Sequence, residues 1–126
     1  MHINFDSETP IYIQIAESIE DAVLSGAFAE ETQIPSTTDI SLAYKINPAT
    51  VLKGMNLLTD EGILYKKRGV GMFVSRGAAK TIEKKRKRGF YERYVASLLE
   101  EARKLGIEKE ELISMIREEG QDGKRD

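Results

Sequence analysis

Pro35-Ser36-Thr37-Thr38-Asp39-Ile40, then Ile46-Asn47-Pro48-Ala49-Thr50-Val51-Leu52-Lys53, then Lys66-Lys67-Arg68-Gly69-Val70-Gly71-Met72-Phe73-Val74 are the stretches whose reading decides the fold. Ser36 and Asp39 have the spacing of a capping box, in which each end of the first helical turn satisfies the other. That starts a short helix running to about Tyr44, with Ile40 and Ala43 expected to face inward. Asn47-Pro48 is a second helix start, an Asn cap with proline at the first helical position. Val51, Met55 and Leu58 recur at helical spacing as its buried stripe, and the helix ends before Gly62. Ile63 to Lys67 and Met72 to Ser75 are β-prone runs around Arg68-Gly69-Val70-Gly71, which predicts a hairpin. Two short helices followed by a glycine-tipped basic hairpin make a winged helix-turn-helix, a plan that seats its second helix in a DNA groove.

Working outward, Pro10 opens an earlier helix with Thr9 as its expected cap. Tyr12, Ile15, Ile19, Ala22 and Val23 form its apolar stripe, and Gly26 stops it. Residues 27–34 are short and polar, with Phe28 and Ile34 as core anchors. Gly77 interrupts both patterns, so the linker is expected at residues 76–79. Beyond it lies a long helical segment with Ile82, Tyr91, Tyr94, Val95, Leu98, Leu99, Ala102 and Leu105 as apolar positions. Gly89 inside that segment costs about 1 kcal/mol relative to alanine and marks a point for a kink. Gly106 ends the segment, and a last short helix carries Leu112, Ile113, Met115 and Ile116. The expected organisation is α+β: a winged domain at residues 1–76, a two-helix all-α unit at 77–119 and a frayed tail at 120–126.

Composition bounds the function. The 126 residues suffice for one domain and a small appendage, at 40% hydrophobic and 32% charged residues. No apolar run approaches the roughly 20 residues that cross a bilayer, and the N-terminus lacks signal-peptide order. There is no cysteine, and His2 is the sole histidine. Disulfides and thiolate chemistry are therefore excluded, no metal-ligand cluster or cofactor motif is present, and a reducing cytoplasm is the expected location. Gly69-Val70-Gly71 does not follow a strand and open a helix as a nucleotide loop does, so catalysis finds no support.

The formal net charge of −2 hides a strong asymmetry. Residues 1–65 carry two basic and ten acidic side chains, a net of −8. Residues 66–93 carry eleven and two, a net of +9, and residues 94–126 carry six and nine, a net of −3. A basic middle on an acidic body gives one surface that can meet phosphates. A solvated basic linker is the bland alternative.

The candidate DNA-contacting residues follow from that plan. Ala49, Thr50 and Lys53 lie off the core stripe on the amino-terminal turns of the second helix, where base edges are reached. Asn47 caps that helix, and Thr50 equally suits a bond to its own backbone. Ser36, with Thr37 and Thr38, offers hydroxyls beside a helix start that attracts anions. Lys66, Lys67 and Arg68 lead to a tip where Gly69 and Gly71 allow close approach to the duplex. The run Lys84-Lys85-Arg86-Lys87-Arg88 either extends the footprint electrostatically or pairs with acidic residues of a partner subunit. The two carboxy-terminal helices are too short to bury their own apolar faces, which predicts a two-fold dimer through Tyr91, Tyr94, Val95, Leu98, Leu99, Ala102, Leu105, Leu112 and Ile116. A winged helix serving as a protein-interaction or RNA-binding adaptor stays open beside these readings.

The ordered motifs Pro10-Ile11-Tyr12-Ile13-Gln14-Ile15, Pro35-Ser36, Asn47 to Lys53, Glu61-Gly62-Ile63-Leu64 and Gly69 to Val74 resemble those of GntR-family bacterial transcription regulators. Tyr94-Val95 and the run Leu98 to Gly106 resemble the small tail of the YtrA subfamily. The resemblance covers about residues 10–118. It implies a homodimeric winged-helix repressor that binds an inverted-repeat operator, often of a transporter operon including its own gene. It leaves no room for the ligand-binding domain of larger relatives, and the effector stays unknown. Two positions depart from the pattern. Thr38 stands where the family usually has a DNA-contacting arginine, which puts base preference in question, and Gly54 stands where alanine is common.

Overall fold

The structure is a computed structural model and describes residues 1–122. Helix α1 spans Ile11–Ser25, α2 Thr37–Tyr44 and α3 Pro48–Asp60; strands β1 (Leu64–Lys67) and β2 (Gly71–Val74) follow. Helix α4 spans Ala78–Phe90, a π-helical turn Tyr91–Val95, α5 Ala96–Lys104 and α6 Lys109–Asp122. The chain divides into two compact units, residues 1–84 and 85–126.

In the first unit, the stripes read from the sequence meet in one core. Ile15, Ile19 and Val23 of α1, Ile40 of α2, and Val51, Met55 and Leu58 of α3 are all buried there. β1 and β2 pair antiparallel, with Leu64 opposite Val74 and Lys67 opposite Gly71, and Leu64 and Val74 close the core from the sheet side. Residues 31–34 add a third edge that the sequence reading treats as loop. Glu31 N donates to Val74 O at 2.7 Å, Val74 N to Thr32 O at 3.0 Å and Ile34 N to Met72 O at 2.9 Å. Only Gln33 and Phe73 form a bridge, because Pro35 follows at once and lacks an N–H to extend the ladder.

Several local expectations are corrected. Pro10, not Thr9, is the cap of α1, with no side-chain cap bond; the Thr9 carbonyl instead accepts from Gln14 Nε2 at 2.8 Å. Ala43 is exposed, and the inward position next to Ile40 belongs to Ser41, whose hydroxyl donates to Ile46 O at 2.6 Å. Buried carbonyls need donors, so a serine serves that turn better than an alanine would.

The expected linker at residues 76–79 does not separate the units. Ala78 and Ile82 are buried in the first unit's core. Glu30 also holds the start of α4, accepting from Gly77 N at 2.8 Å and Ala79 N at 3.3 Å. These bonds, Gly77's first, lower the Glu30 carboxyl below its ordinary value, with Arg76 adding a smaller pull against slight desolvation. Helix α4 continues through Gly89, and the irregularity comes just after it, at Tyr91–Val95. In the second unit Ala102 and Leu112 are buried, and Ile107 N donates to Ala102 O at 2.8 Å across the α5–α6 turn. α6 takes in residues 120–122 of the expected tail, and residues 123–126 lie outside the described residues.

Candidate nucleic-acid interface

Helix α3 starts where the sequence places it. Asn47 Oδ1 accepts from Ala49 N at 2.8 Å, and Pro48 occupies the first turn. With Val51, Met55 and Leu58 facing the core, the opposite face is left to Ala49, Lys53 and Asn56, all exposed. Thr50 is half-buried at the edge of that face. Asn56 shares this face and was not among the positions named from the sequence. Its signal was there: it lies seven residues after Ala49 and three after Lys53, hence on the same side. An Asn amide is suited to reading adenine bidentately. Asp60 continues the same face one turn on, so a carboxylate bounds it at the carboxy-terminal end.

Lys53 is not a freely swinging cation. Its Nζ stands 4.1 Å from the centroid of the Tyr12 ring, on α1. Beside Lys53, α1 comes close to α3 at Gly54, where a Cβ would meet the Tyr12 carbonyl oxygen at 2.8 Å and the Ile15 side chain at 3.2 Å.

At the start of α2 the capping box is complete. Ser36 Oγ accepts from Asp39 N at 3.0 Å, and Asp39 Oδ2 accepts from Ser36 N at 3.2 Å. Asp39 therefore already sets a carboxylate at this helix start. Thr37 is half-buried and its hydroxyl donates to Met55 Sδ at 3.4 Å. Thr38 is exposed and has its hydroxyl on the surface.

The hairpin carries Lys66, Lys67 and Arg68, all exposed. Strand alternation puts Lys67 on the face of Tyr65 and Phe73, and Lys66 on the face of Leu64 and Val74. Lys67 Nζ lies 4.3 Å from the Phe73 ring, itself stacked on Tyr65 at 5.7 Å. Gly69 has a φ of 76° with open space around it, as a tight tip requires. Gly71 has an internal reason: the Gln33 amide fills the space a Cβ would take, and Gln33 Nε2 donates to Val70 O at 2.9 Å. Gln33 thus braces the tip from residues 31–34, a role with no signal in the local sequence.

In the second unit, Tyr91, Tyr94, Leu98, Leu105 and Ile116 are exposed, and Val95 and Leu99 half-buried. Ala102 and Leu112 are instead covered within the chain. The other seven keep accessible apolar surface. Among the described residues no cluster of three or more His, Cys, Asp or Glu side chains could hold a metal, and no helix is long and apolar enough to cross a membrane.

Comparison with known proteins places this arrangement. The model of the family described as "Bacterial regulatory proteins, gntR family" matches residues 11–74, half of the chain. The repressor NagR of Bacillus subtilis is 34% identical over 76 residues, which cover 60% of this chain but 31% of NagR. The repressor YtrA of the same organism is 34% identical over 76 residues, 60% of this chain and 58% of YtrA. The chain therefore spans less than two thirds of either relative's own length. The crystal structure of a GntR-family regulator from Bacteroides thetaiotaomicron is 35% identical, with a TM-score of 0.73, covering 90% of this chain and 99% of that one.

Proposed function

The chain belongs to the gntR family of bacterial regulatory proteins, and from that premise we propose that it is a sequence-specific DNA-binding transcription regulator, a homodimeric repressor of an inverted-repeat operator. The observation that carries the reading is the outward face of α3. Ala49, Lys53 and Asn56 stand opposite the core stripe, and a hairpin with three exposed cations follows. The first turns of α3 enter the major groove, where Lys53 donates to guanine and Asn56 reads adenine, with Ala49 and Thr50 in contact alongside. Lys66, Lys67 and Arg68 hold the adjoining phosphates, as Thr38 does beside α2, and Gly69 lets the wing tip approach closely. The Lys84 to Arg88 run of α4 raises affinity for any duplex by displacing counterions.

Dimerisation through the apolar face of Tyr91, Tyr94, Leu98, Leu105 and Ile116 sets two half-sites about 34 Å apart, one helical turn. The protein acts in the cytoplasm, and the operator includes the promoter of its own gene, next to transporter genes. Fluorescence-anisotropy binding to the duplex upstream of its gene, with random duplex as competitor and salt varied, tests this. Tight binding that survives the competitor and falls steeply with salt is expected. Equal weak binding to both duplexes, with tighter binding to RNA or to a protein, would establish the adaptor reading instead.

A further inference from the structure

We propose that Tyr12 is a positioning residue for DNA reading: its ring holds the Lys53 ammonium over the outward face of α3, at a distance fixed by Gly54. The proposal rests on the reading of Lys53 as a base contact. Three observations carry it. Lys53 Nζ lies 4.1 Å from the Tyr12 centroid, well inside the roughly 6 Å within which a ring face attracts a cation. Tyr12 is half-buried on α1, so its ring is held by packing and the flexible partner is the lysine. Gly54 neighbours Lys53, and a Cβ there would drive into the Tyr12 backbone oxygen at 2.8 Å. Alanine improves helix propensity by about 1 kcal/mol over glycine. Here it can be accommodated only if α1 and α3 separate, because the clashing atom is backbone and cannot turn aside.

The physical consequence is preorganisation. A lysine has four rotatable bonds, and ordering them at a base edge opposes binding. A ring that restricts the ammonium to one region lowers that loss on the matching base. It does nothing for contacts with phosphates made elsewhere. Tyr12 therefore acts on discrimination between sequences and not on general affinity. The aromatic ring is the operative part, so phenylalanine should replace it and leucine should not.

The test uses the full chain and a duplex selected by it from a randomised pool, together with the same duplex altered one base pair at a time and a random duplex. Lys53→Ala first identifies the base pair that Lys53 reads. Tyr12→Leu should lower discrimination at that base pair roughly two- to fivefold, the range of an exposed cation–ring contact, with affinity for random duplex unchanged. Tyr12→Phe should match the parent chain, and Gly54→Ala should behave like Tyr12→Leu. In the free protein, the ε-methylene protons of Lys53 should show ring-current shifts that persist in Tyr12→Phe and vanish in Tyr12→Leu, a readout independent of DNA. If Lys53→Ala reduces discrimination while Tyr12→Leu does not, the positioning role is overturned and the reading of Lys53 stands. If Lys53→Ala leaves discrimination intact, both fall. Equal loss in Tyr12→Phe and Tyr12→Leu, or no ring-current shift, would also overturn it.

Discussion

Residues 1–84 and residues 85–118 use similar apolar side chains in opposite ways. In the first unit Ile15, Ile19, Met55, Leu58, Ile63 and Ile82 are all but inaccessible, gathered from α1, α3, the turn before β1 and the first turns of α4. In the second, Tyr91, Tyr94, Leu105 and Ile116 are more than half exposed, and Ala102 and Leu112 are the buried apolar residues. A unit that covers its own core can be stable by itself, whereas a unit that leaves most of its large apolar side chains exposed is a candidate interaction surface. Under the proposed function, the contrast separates a unit that presents α3 and the wing from one whose exposed apolar side chains are the proposed seat of a second copy.

The sharpest way to break the contrast is to remove core volume from the first unit. Leu58, on α3, is fully buried in the first unit's core, so Leu58→Ala should cost about 2–5 kcal/mol. Urea unfolding should show that loss with a midpoint independent of protein concentration. A midpoint that rises with concentration would mean that the first unit also depends on the partner.

Leu98→Glu is the matching substitution in the second unit. Leu98 is 42% exposed in the single chain, so the substitution should leave the fold of the monomer intact. Sedimentation at micromolar concentration should show a dimer for the parent chain and a monomer for Leu98→Glu. Affinity for a duplex with two half-sites should drop by roughly 100-fold as bivalency is lost, while binding to a single half-site should change little. Dimeric Leu98→Glu would remove that face from the interface.

The same contrast explains what could be read in advance. The stripes of α1 and α3, the capping box at Ser36 and the existence of the hairpin depend on neighbours within a few residues. Those features were legible in the sequence. What depended on distant partners was not. The third edge at residues 31–34 exists because Val74 and Met72 offer their backbone, and the space beside the wing glycine Gly71 is taken by Gln33, thirty-eight positions earlier. Gly54 reads locally as a weak helix residue, and only the crossing of α1 shows why alanine is not accommodated. The junction beyond the wing was misplaced for the same reason. Gly77 interrupts the local pattern, but Glu30 and the core hold the residues that follow it. On α3, the outward face was visible as a period of 3.6, which put Ala49 and Lys53 on it; Asn56 is exposed on the same face and was passed over.

A smaller effect tests the local half of that account. Ser36→Ala removes the acceptor for Asp39 N and should cost about 1 kcal/mol, with Asp39 then free of its reciprocal partner. Thermal melting should register the loss, and Ser36→Asp, which restores an acceptor, should recover most of it. Failure of the aspartate to rescue would place the role of Ser36 elsewhere than the cap.

The smallest effect concerns where the first unit ends. Glu30 is exposed, yet it accepts the Gly77 and Ala79 N–H groups at the start of α4, and those bonds hold its carboxyl below the ordinary value. A carboxyl with a depressed value in the folded state favours folding once ionised, so its contribution is fully present above the ordinary glutamate range. It is lost as pH falls through the lowered value. The stability gap between the parent chain and Glu30→Ala should therefore be small, widest at neutral pH, and closed in acid. Hydrogen exchange at Thr81 and Ile82 should quicken in Glu30→Ala at neutral pH, because the first turn of α4 then frays from the core that buries Ile82. Unchanged exchange there would mean that apolar packing at Ala78 and Ile82 alone binds α4 to the first unit, and that the carboxylate only decorates a boundary already set.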